Sequence, residues 1–344
     1  MKSIAQKKAE TAAVKRLREQ HQLPQADELV NRILAQDRTA LSQAITLAES
    51  SSVEHAALAL EIIKKCLPHS GRSFRIGITG VPGVGKSTFI ESFGTHLTSI
   101  GKHVAVLAVD PSSPLSGGSI LGDKTRMEKL SLDANAFIRP SPTSQSLGGV
   151  TKSTRQNIAL CEAAGFDIII VETVGVGQSE TAVHGMTDFF LLLMLAGAGD
   201  QLQGIKRGIM EMADGIIITK ADGDNEKNAA KAKAEYFSAL HLYPPKPSGW
   251  QPKVEVTSAL YNKGVAETWK LVCDHEQWMK ERGFFEVHRK AQELEWVREA
   301  VSNEVVQRFF SRQEVADELK RAQKELASGK LSGFEAIQSL YRFI

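Results

Sequence analysis

The sequence predicts an α/β fold in which a mostly parallel sheet is flanked by helices, with helical extensions at both ends. Three observations lead there. Six short runs are almost continuously apolar: FRIGIT (74–79), HVAVLAV (103–109), FDIIIVE (166–172), DFFLLLML (188–195), GIIIT (215–219) and VEVT (254–257). Strands that are apolar on both faces need cover on both faces, which a parallel sheet between helical layers provides. Helical stretches separate the runs, and a glycine-rich turn follows the first of them.

Taken in order, residues 1–70 read as an N-terminal helical extension. Leu41, Ile45 and Ala48 recur at helical spacing, as do Leu58, Ile62 and Cys66. Ser51 and Glu54 form a candidate capping box for the second of these helices, and Pro68 and Gly71 close the region. Residues 71–262 hold the six runs, with Pro244, Pro245, Pro247 and Pro252 stiffening the loop before the last. From 263 to 344 the chain turns charged and helical, with Trp269, Val272, Trp278, Trp296, Val297, Phe309 and Phe310 among its apolar positions.

Composition limits the function classes. Lys and Arg number 42 against 40 Asp and Glu, a formal charge of +2, so no concentrated basicity points to a nucleic-acid partner. Apolar residues make up 42% and charged ones 24%, as in ordinary globular chains. The longest apolar run, Phe189 to Ala198, falls well short of the ~20 residues that cross a bilayer and reads as a buried strand with its outgoing turn; no membrane partner is expected. Cys66, Cys161 and Cys273 are too few and too scattered for a disulfide scaffold, which points to a reducing compartment. The N-terminus lacks an apolar leader core and reads as a solvated helical arm, so the expected location is the cytoplasm of a bacterium, with an organellar matrix as the alternative.

The strongest chemical signal is Gly80-Val81-Pro82-Gly83-Val84-Gly85-Lys86-Ser87-Thr88, which satisfies G-x-x-x-x-G-K-[ST] between an apolar run and a helical stretch. Glycines let the backbone approach phosphate without an intervening Cβ, and successive N–H groups at a helix start face the anion. The sheet is therefore expected to be that of a P-loop NTPase. Lys86 is expected at the β- and γ-phosphates and the Ser87 hydroxyl on Mg²⁺. Carboxylates that end strands beside such a loop are candidates for the metal: Asp110, Glu172 and, in the loop between the second and third runs, Asp123. Lys86 is expected to carry the charge stabilisation and Asp123 to orient the attacking water. Two polar, glycine-rich segments follow the next strands, one with Gly175 and Gln178, the other with Asp200, Gln203 and Lys206. Both have the backbone freedom of elements that change shape with the γ-phosphate.

Thr219-Lys220-Ala221-Asp222 follows GIIIT and resembles the N/T-K-x-D element that reads guanine. A carboxylate at Asp222 can accept from guanine N1–H and the 2-amino group together; adenine offers neither donor there, and a buried acceptor left unpaired is costly. Lys220 is expected along the base. Asp224 does not keep the K-x-D spacing. Ser258-Ala259-Leu260 follows VEVT and matches the S-A element whose backbone supports the base. The order of these motifs points to GTP and GDP rather than ATP.

At this point VDPSSPLSGGSILGDKTRM (109–127), VETVGVGQSE (171–180) and AGAGDQLQGIKRGIMEMAD (196–214) resemble the MeaB/ArgK-type P-loop GTPases, the family of the methylmalonic aciduria type A protein, within the metallocentre-assembly (SIMIBI) class. The resemblance implies a homodimer with a central G domain over 71–262 and a C-terminal helical dimerisation region over 263–344. It implies association with an adenosylcobalamin-dependent methylmalonyl-CoA mutase or a relative, gating cofactor loading and protecting or reactivating that enzyme. It matches Ser87, Asp110, Asp123 and Glu172 to the Mg²⁺ site and Asp200–Lys206 to a third switch, with Gln203 and Lys206 at polar positions there, and it accommodates Thr219 in place of Asn. Two other readings fit the sequence less well. A nickel- or metal-inserting GTPase needs clustered soft or imidazole ligands, whereas the His and Cys here are dispersed. A P-loop small-molecule kinase needs an acceptor site that no motif supplies.

Overall fold

The computed structural model describes residues 23–109, 127–140, 147–173, 179–197 and 207–344. Three helices come first: α1 (Ala26–Leu34), α2 (Arg38–Ala48) and α3 (Val53–Cys66). Asp37 caps α2 by accepting from the Thr39 and Ala40 amides, and the Ala40 amide and Arg32 side chain hold its carboxyl below the usual range. The capping box expected from Ser51 and Glu54 does not form. Helix α3 starts one residue later, with Ser52 at the N-cap and no side-chain cap bond. That register puts His55, not Glu54, at the third helical position, where the reciprocal carboxylate would have to stand.

The remaining elements are β1 (Phe74–Gly80), α4 (Lys86–Ser99), β2 (Val104–Val109), α5 (Glu128–Leu132), β3 (Ala136–Arg139), α6 (Leu147–Ala163), β4 (Ile168–Thr173) and α7 (Ser179–His184). They continue with β5 (Phe189–Leu195), α8 (Arg207–Met212), β6 (Gly215–Thr219), α9 (Glu226–Leu240) and β7 (Lys253–Val256). The C-terminal helices are α10 (Val265–Glu281), α11 (Phe284–Ser311), α12 (Gln313–Ala327) and α13 (Gly333–Tyr341). The strands form one seven-stranded sheet in the order β3-β2-β4-β1-β5-β6-β7, with every pairing parallel. The six apolar runs are all strands; β3 is an additional edge strand of four residues, too short to stand out as an apolar run.

Strand alternation divides the core between the two faces. Ala105, Leu107, Ile169 and Val171 point into a cluster with α1–α3 and α6, so the helices read as an N-terminal extension share a core with the sheet. Val104, Val106, Ile168, Ile170, Ile76, Ile78, Phe189 and Leu191 point to the other face, against Phe89, Ile90 and Phe93 of α4 and Leu271 and Val272 of α10. Leu192, Met194, Ile216 and Ile218 pack under α9. The buried centre is thus set by period-2 runs, and the carboxyl ends of β1, β4, β5 and β6 come together where the glycine-rich turn leaves the sheet.

Candidate functional site

The turn after β1 bends through positive φ at Gly80, Gly83 and Gly85, the last of these at the N-cap of α4. At Gly80 a Cβ would stand 2.6 Å from the Leu193 carbonyl oxygen of β5, so only glycine fits. Val84 is fully buried in the core under α4 and anchors the loop, while Pro82, Gly83 and Thr88 are exposed and Val81, Lys86 and Ser87 half-buried. Lys86 donates from Nζ to the Gly80 carbonyl at 2.8 Å, curling over the loop in the place where a phosphate would be held. The Val84 amide closes the turn onto the Val81 carbonyl at 3.2 Å.

The T-K-x-D segment is tied to this loop side chain by side chain. Thr219, buried at the end of β6, donates its hydroxyl to the Val84 carbonyl at 2.7 Å and lies 3.1 Å from that of Met194 on β5. Lys220 takes a positive φ of 55° and sends Nζ to the Gly83 carbonyl at 2.9 Å, so its stem runs beside the loop. Asp222 accepts a hydrogen bond from the buried Ser258 hydroxyl, and Asn225 fixes the segment through the Lys220 carbonyl at 2.8 Å. Ser258 is itself held by paired backbone bonds to Lys263, both 3.0 Å, in a turn that ends at Gly264. There a Cβ would meet the Val256 carbonyl oxygen at 2.2 Å. Ser92 of α4 reaches the same turn through Asn262 at 3.0 Å. Ala259 is half-buried and packs on the core; Leu260 is 73% exposed at the tip. Lys86, Thr219, Lys220, Asp222 and Ser258 are therefore one connected assembly, although Gly80 and Ser258 are far apart in sequence.

Glu172 lies buried near the end of β4, between Ile78 of β1 and Ala108 of β2 in register. By alternation it shares the face of Ile168 and Ile170, the face covered by α4. Next to it Thr173 donates to the Thr79 hydroxyl at 2.8 Å, locking the end of β4 to the residue before Gly80. A hydroxyl at Ser87 and a carboxylate at Glu172 are the hard oxygen donors that a phosphate-held Mg²⁺ takes. Among the described residues no three His, Cys, Asp or Glu cluster as a metal site of their own. Asp110, Asp123, Gly175, Gln178, Asp200, Gln203 and Lys206 lie outside the described residues. Among the residues that do the tying, sequence reasoning missed the Thr79–Thr173 pair, the Asn262 link and the partners of Thr219. The one signal available was the hydroxyl at the T-K-x-D position.

A model of the family described as methylmalonyl-CoA mutase-associated GTPase MeaB matches residues 41–314. A probable GTPase of Mycobacterium tuberculosis is 48% identical over 314 residues, covering 91% of this chain and 94% of its own. The GTPase ArgK of Escherichia coli is 45% identical over 317 residues, covering 92% and 96%. The mitochondrial methylmalonic aciduria type A homolog of Mus musculus is 44% identical, covering 92% of this chain and 79% of its own. Among solved structures, one described as an LAO/AO transport system kinase superposes with a TM-score of 0.75 at 38% identity, covering 92% and 97%.

Proposed function

From the premise that this chain belongs to the MeaB family and is a GTPase, we propose that it is a GTP-driven chaperone for an adenosylcobalamin-dependent mutase of the methylmalonyl-CoA mutase type. It gates cofactor loading and protects or reactivates that enzyme. The observation that carries the nucleotide part is the linkage of Lys220, Thr219 and Asp222 to the P-loop: one rigid assembly holds a phosphate cradle and a guanine acceptor together. The mutase part is supported by the family description and by the name of the mouse relative.

In this reading the backbone from Gly80 to Thr88 receives the β- and γ-phosphates, and Lys86 leaves the Gly80 carbonyl for them. Ser87 and Glu172, with Asp110 and Asp123, would hold Mg²⁺, which would supply charge neutralisation at the phosphates. Water attacks the γ-phosphate, catalysed by positioning rather than by covalent chemistry, with Asp123 orienting it. The segments with Gly175 and Gln178 and with Asp200, Gln203 and Lys206 relay the nucleotide state to the mutase. Residues 263–344 dimerise: α11 leaves Val287, Leu294, Val301 and Val305 exposed along one helix, a stripe that a second copy would bury. No helix of the described residues is long and apolar enough to cross a membrane, and the reading places the chain where its mutase is, in the bacterial cytoplasm or an organellar matrix.

Two measurements test this. Calorimetric titration should give GTP an advantage over ATP of well over tenfold, which Asp222→Asn erases; equal affinities in the parent chain remove the guanine argument. Size-exclusion chromatography of the chain with a cobalamin-dependent mutase should show a complex whose amount differs between GDP and a non-hydrolysable GTP analogue. Absence of any complex in both states overturns the chaperone role while leaving the GTPase intact.

A further inference from the structure

Helix α7 is only six residues long, and five residues separate it from Thr173 at the end of β4. A helix this short leaves its final carbonyls without internal partners. The Gly185 and Met186 amides close onto the Thr181 and Val183 carbonyls, and side chains of α11 and α6 add donors just beyond. Gln292 of α11, buried, donates from Nε2 to the His184 carbonyl at 3.0 Å and to that of Thr187 at 2.8 Å. Arg155 of α6 takes the Gly185 carbonyl and lies 3.3 Å from the backbone carbonyl of Gln292, so α6, α7 and α11 meet at one point.

Arg155 stands out there. Its guanidinium lies 5.4 Å from the centre of the Trp296 ring, and its buried Nε has no partner. Among the described residues it makes no salt bridge. Burial, with Arg75 nearby, brings it down to about 10. The carboxylates that attract it, Glu293 and Glu299, are exposed, so burial outweighs them, and groups held at such cost concentrate where position matters.

On its other side α7 rests on β1 itself. A Cβ at Gly77 would lie 2.8 Å from the Thr187 hydroxyl and 2.9 Å from Val183, so this region packs against bare backbone three residues before Gly80. Helix α7 is pressed between the strand that carries the phosphate loop and the helix that carries the exposed stripe.

We propose that Gln292, together with Arg155, is a positioning residue for GTP hydrolysis: it fixes α7 against Gly77 of β1, the strand that carries the phosphate loop. The proposal rests on the P-loop being the nucleotide cradle. It makes turnover answer to α11, so that whatever binds the outer face of that helix can tune the rate from a distance.

The test uses the full chain. Gln292→Met keeps the side-chain length and removes both donors. Single-turnover GTP hydrolysis should slow roughly 5–20-fold while GDP affinity stays within about twofold. A fluorescence difference between GDP and a GTP analogue that depends on Trp296 is expected in the parent chain and should be lost in Gln292→Met. Arg155→Lys, which keeps a cation near Gly185, should retain more activity than Arg155→Met. Gly77→Ala, which pushes α7 from the strand side, should show the same split between rate and affinity. An unchanged rate in Gln292→Met and Arg155→Met overturns the proposal. So does a rate that falls only in proportion to GDP affinity. If the parent chain itself fails to take up GDP, the failure belongs to the nucleotide-site reading and not to the role of Gln292 and Arg155.

Discussion

The amino end of the sheet and the part of its carboxyl end formed by β1, β5 and β6 are built on opposite principles. At the amino end charged groups answer one another. Arg289 of α11 forks onto Asp188 at 2.7 and 2.6 Å and reaches the Gly71 and Ser73 carbonyls at 2.8 and 2.6 Å. Glu162, its side chain almost wholly buried, accepts from the Gly71 amide at 2.7 Å, the Ser73 hydroxyl at 2.6 Å and Arg75 Nε at 3.0 Å. Asp214 takes Lys246 at 2.5 Å; burial alone would raise its carboxyl, but Lys246 and His275 hold it below the usual range. At the carboxyl end Thr219 and Lys220 donate instead to the neutral backbone carbonyls of Val84 and Gly83, and Lys86 reaches the Gly80 carbonyl. A carbonyl is a weaker partner for an ammonium than an anion is, so a contact like that of Lys220 gives way to a ligand more readily than the ion pairs of the amino end do. Stability is lodged at one end and exchangeable contacts at the other, and the difference separates what holds the chain folded from what it holds.

The sharpest way to break that comparison is Arg289→Met. It strands the buried Asp188 carboxylate and should lower stability by about 3–5 kcal/mol, read as a large drop in melting temperature, while the folded fraction keeps its GDP affinity. Affinity falling in step with stability would mean the two ends are not separable. Lys86→Ala is the mirror image. Turnover should drop by about 10²–10³-fold with the melting temperature nearly unchanged, and activity close to that of the parent chain would remove Lys86 from the site.

The same contrast explains what the sequence revealed. The phosphate loop was legible because its chemistry demands particular residue types in one contiguous run, and Lys220 and Asp222 were legible for the same reason. The strands were legible because two-sided burial writes an apolar run, and β3 was not, because Ala136–Arg139 is four residues with only its first two buried. Strand order was not readable, since parallel crossovers are settled by packing. Nor were the partners of Thr219, whose acceptor at Val84 is 135 residues away, or those of Gln292, bonded to Thr187 across 105 residues. Contacts of that kind have no local pattern; they follow only once the sheet has brought the elements together.

Thr219 sharpens the comparison from inside the site. Thr219→Val removes the hydroxyl with little change in volume and leaves the buried Val84 and Met194 carbonyls short of a donor, a loss of about 1–2 kcal/mol. Because those carbonyls belong to the phosphate loop and to β5, GTP and ATP should weaken together by roughly tenfold and their ratio should hold, with Thr219→Ser restoring both. A ratio that collapses in Thr219→Val would make the hydroxyl a reader of the base instead.

The smallest effect separates the ends by pH. His184 and His275 are both pushed below the ordinary 6.5 of imidazole, in each case chiefly by burial, which outweighs the attraction of Asp214. His275 sits between the Phe189 and Trp250 rings, 5.0 Å from each centre, and its Nδ1 has no partner, so the neutral ring suits the site and the cation does not. Between the native value and 6.5 the unfolded chain binds the extra proton, so stability is full above about pH 6.5 and falls as the pH drops below it. The slope can reach about 1.4 kcal/mol per pH unit for each ring. Thermal melts from pH 8 to 5.5 should show that decline, and His275→Gln should flatten part of it. Both imidazoles lie toward the amino end, beside Phe190 and Asp214, so GDP affinity measured on the folded chain should not track the same curve. An affinity that fell with the same midpoint would show that protons taken up at one end of the sheet are felt at the other, and the division of labour between them would fail.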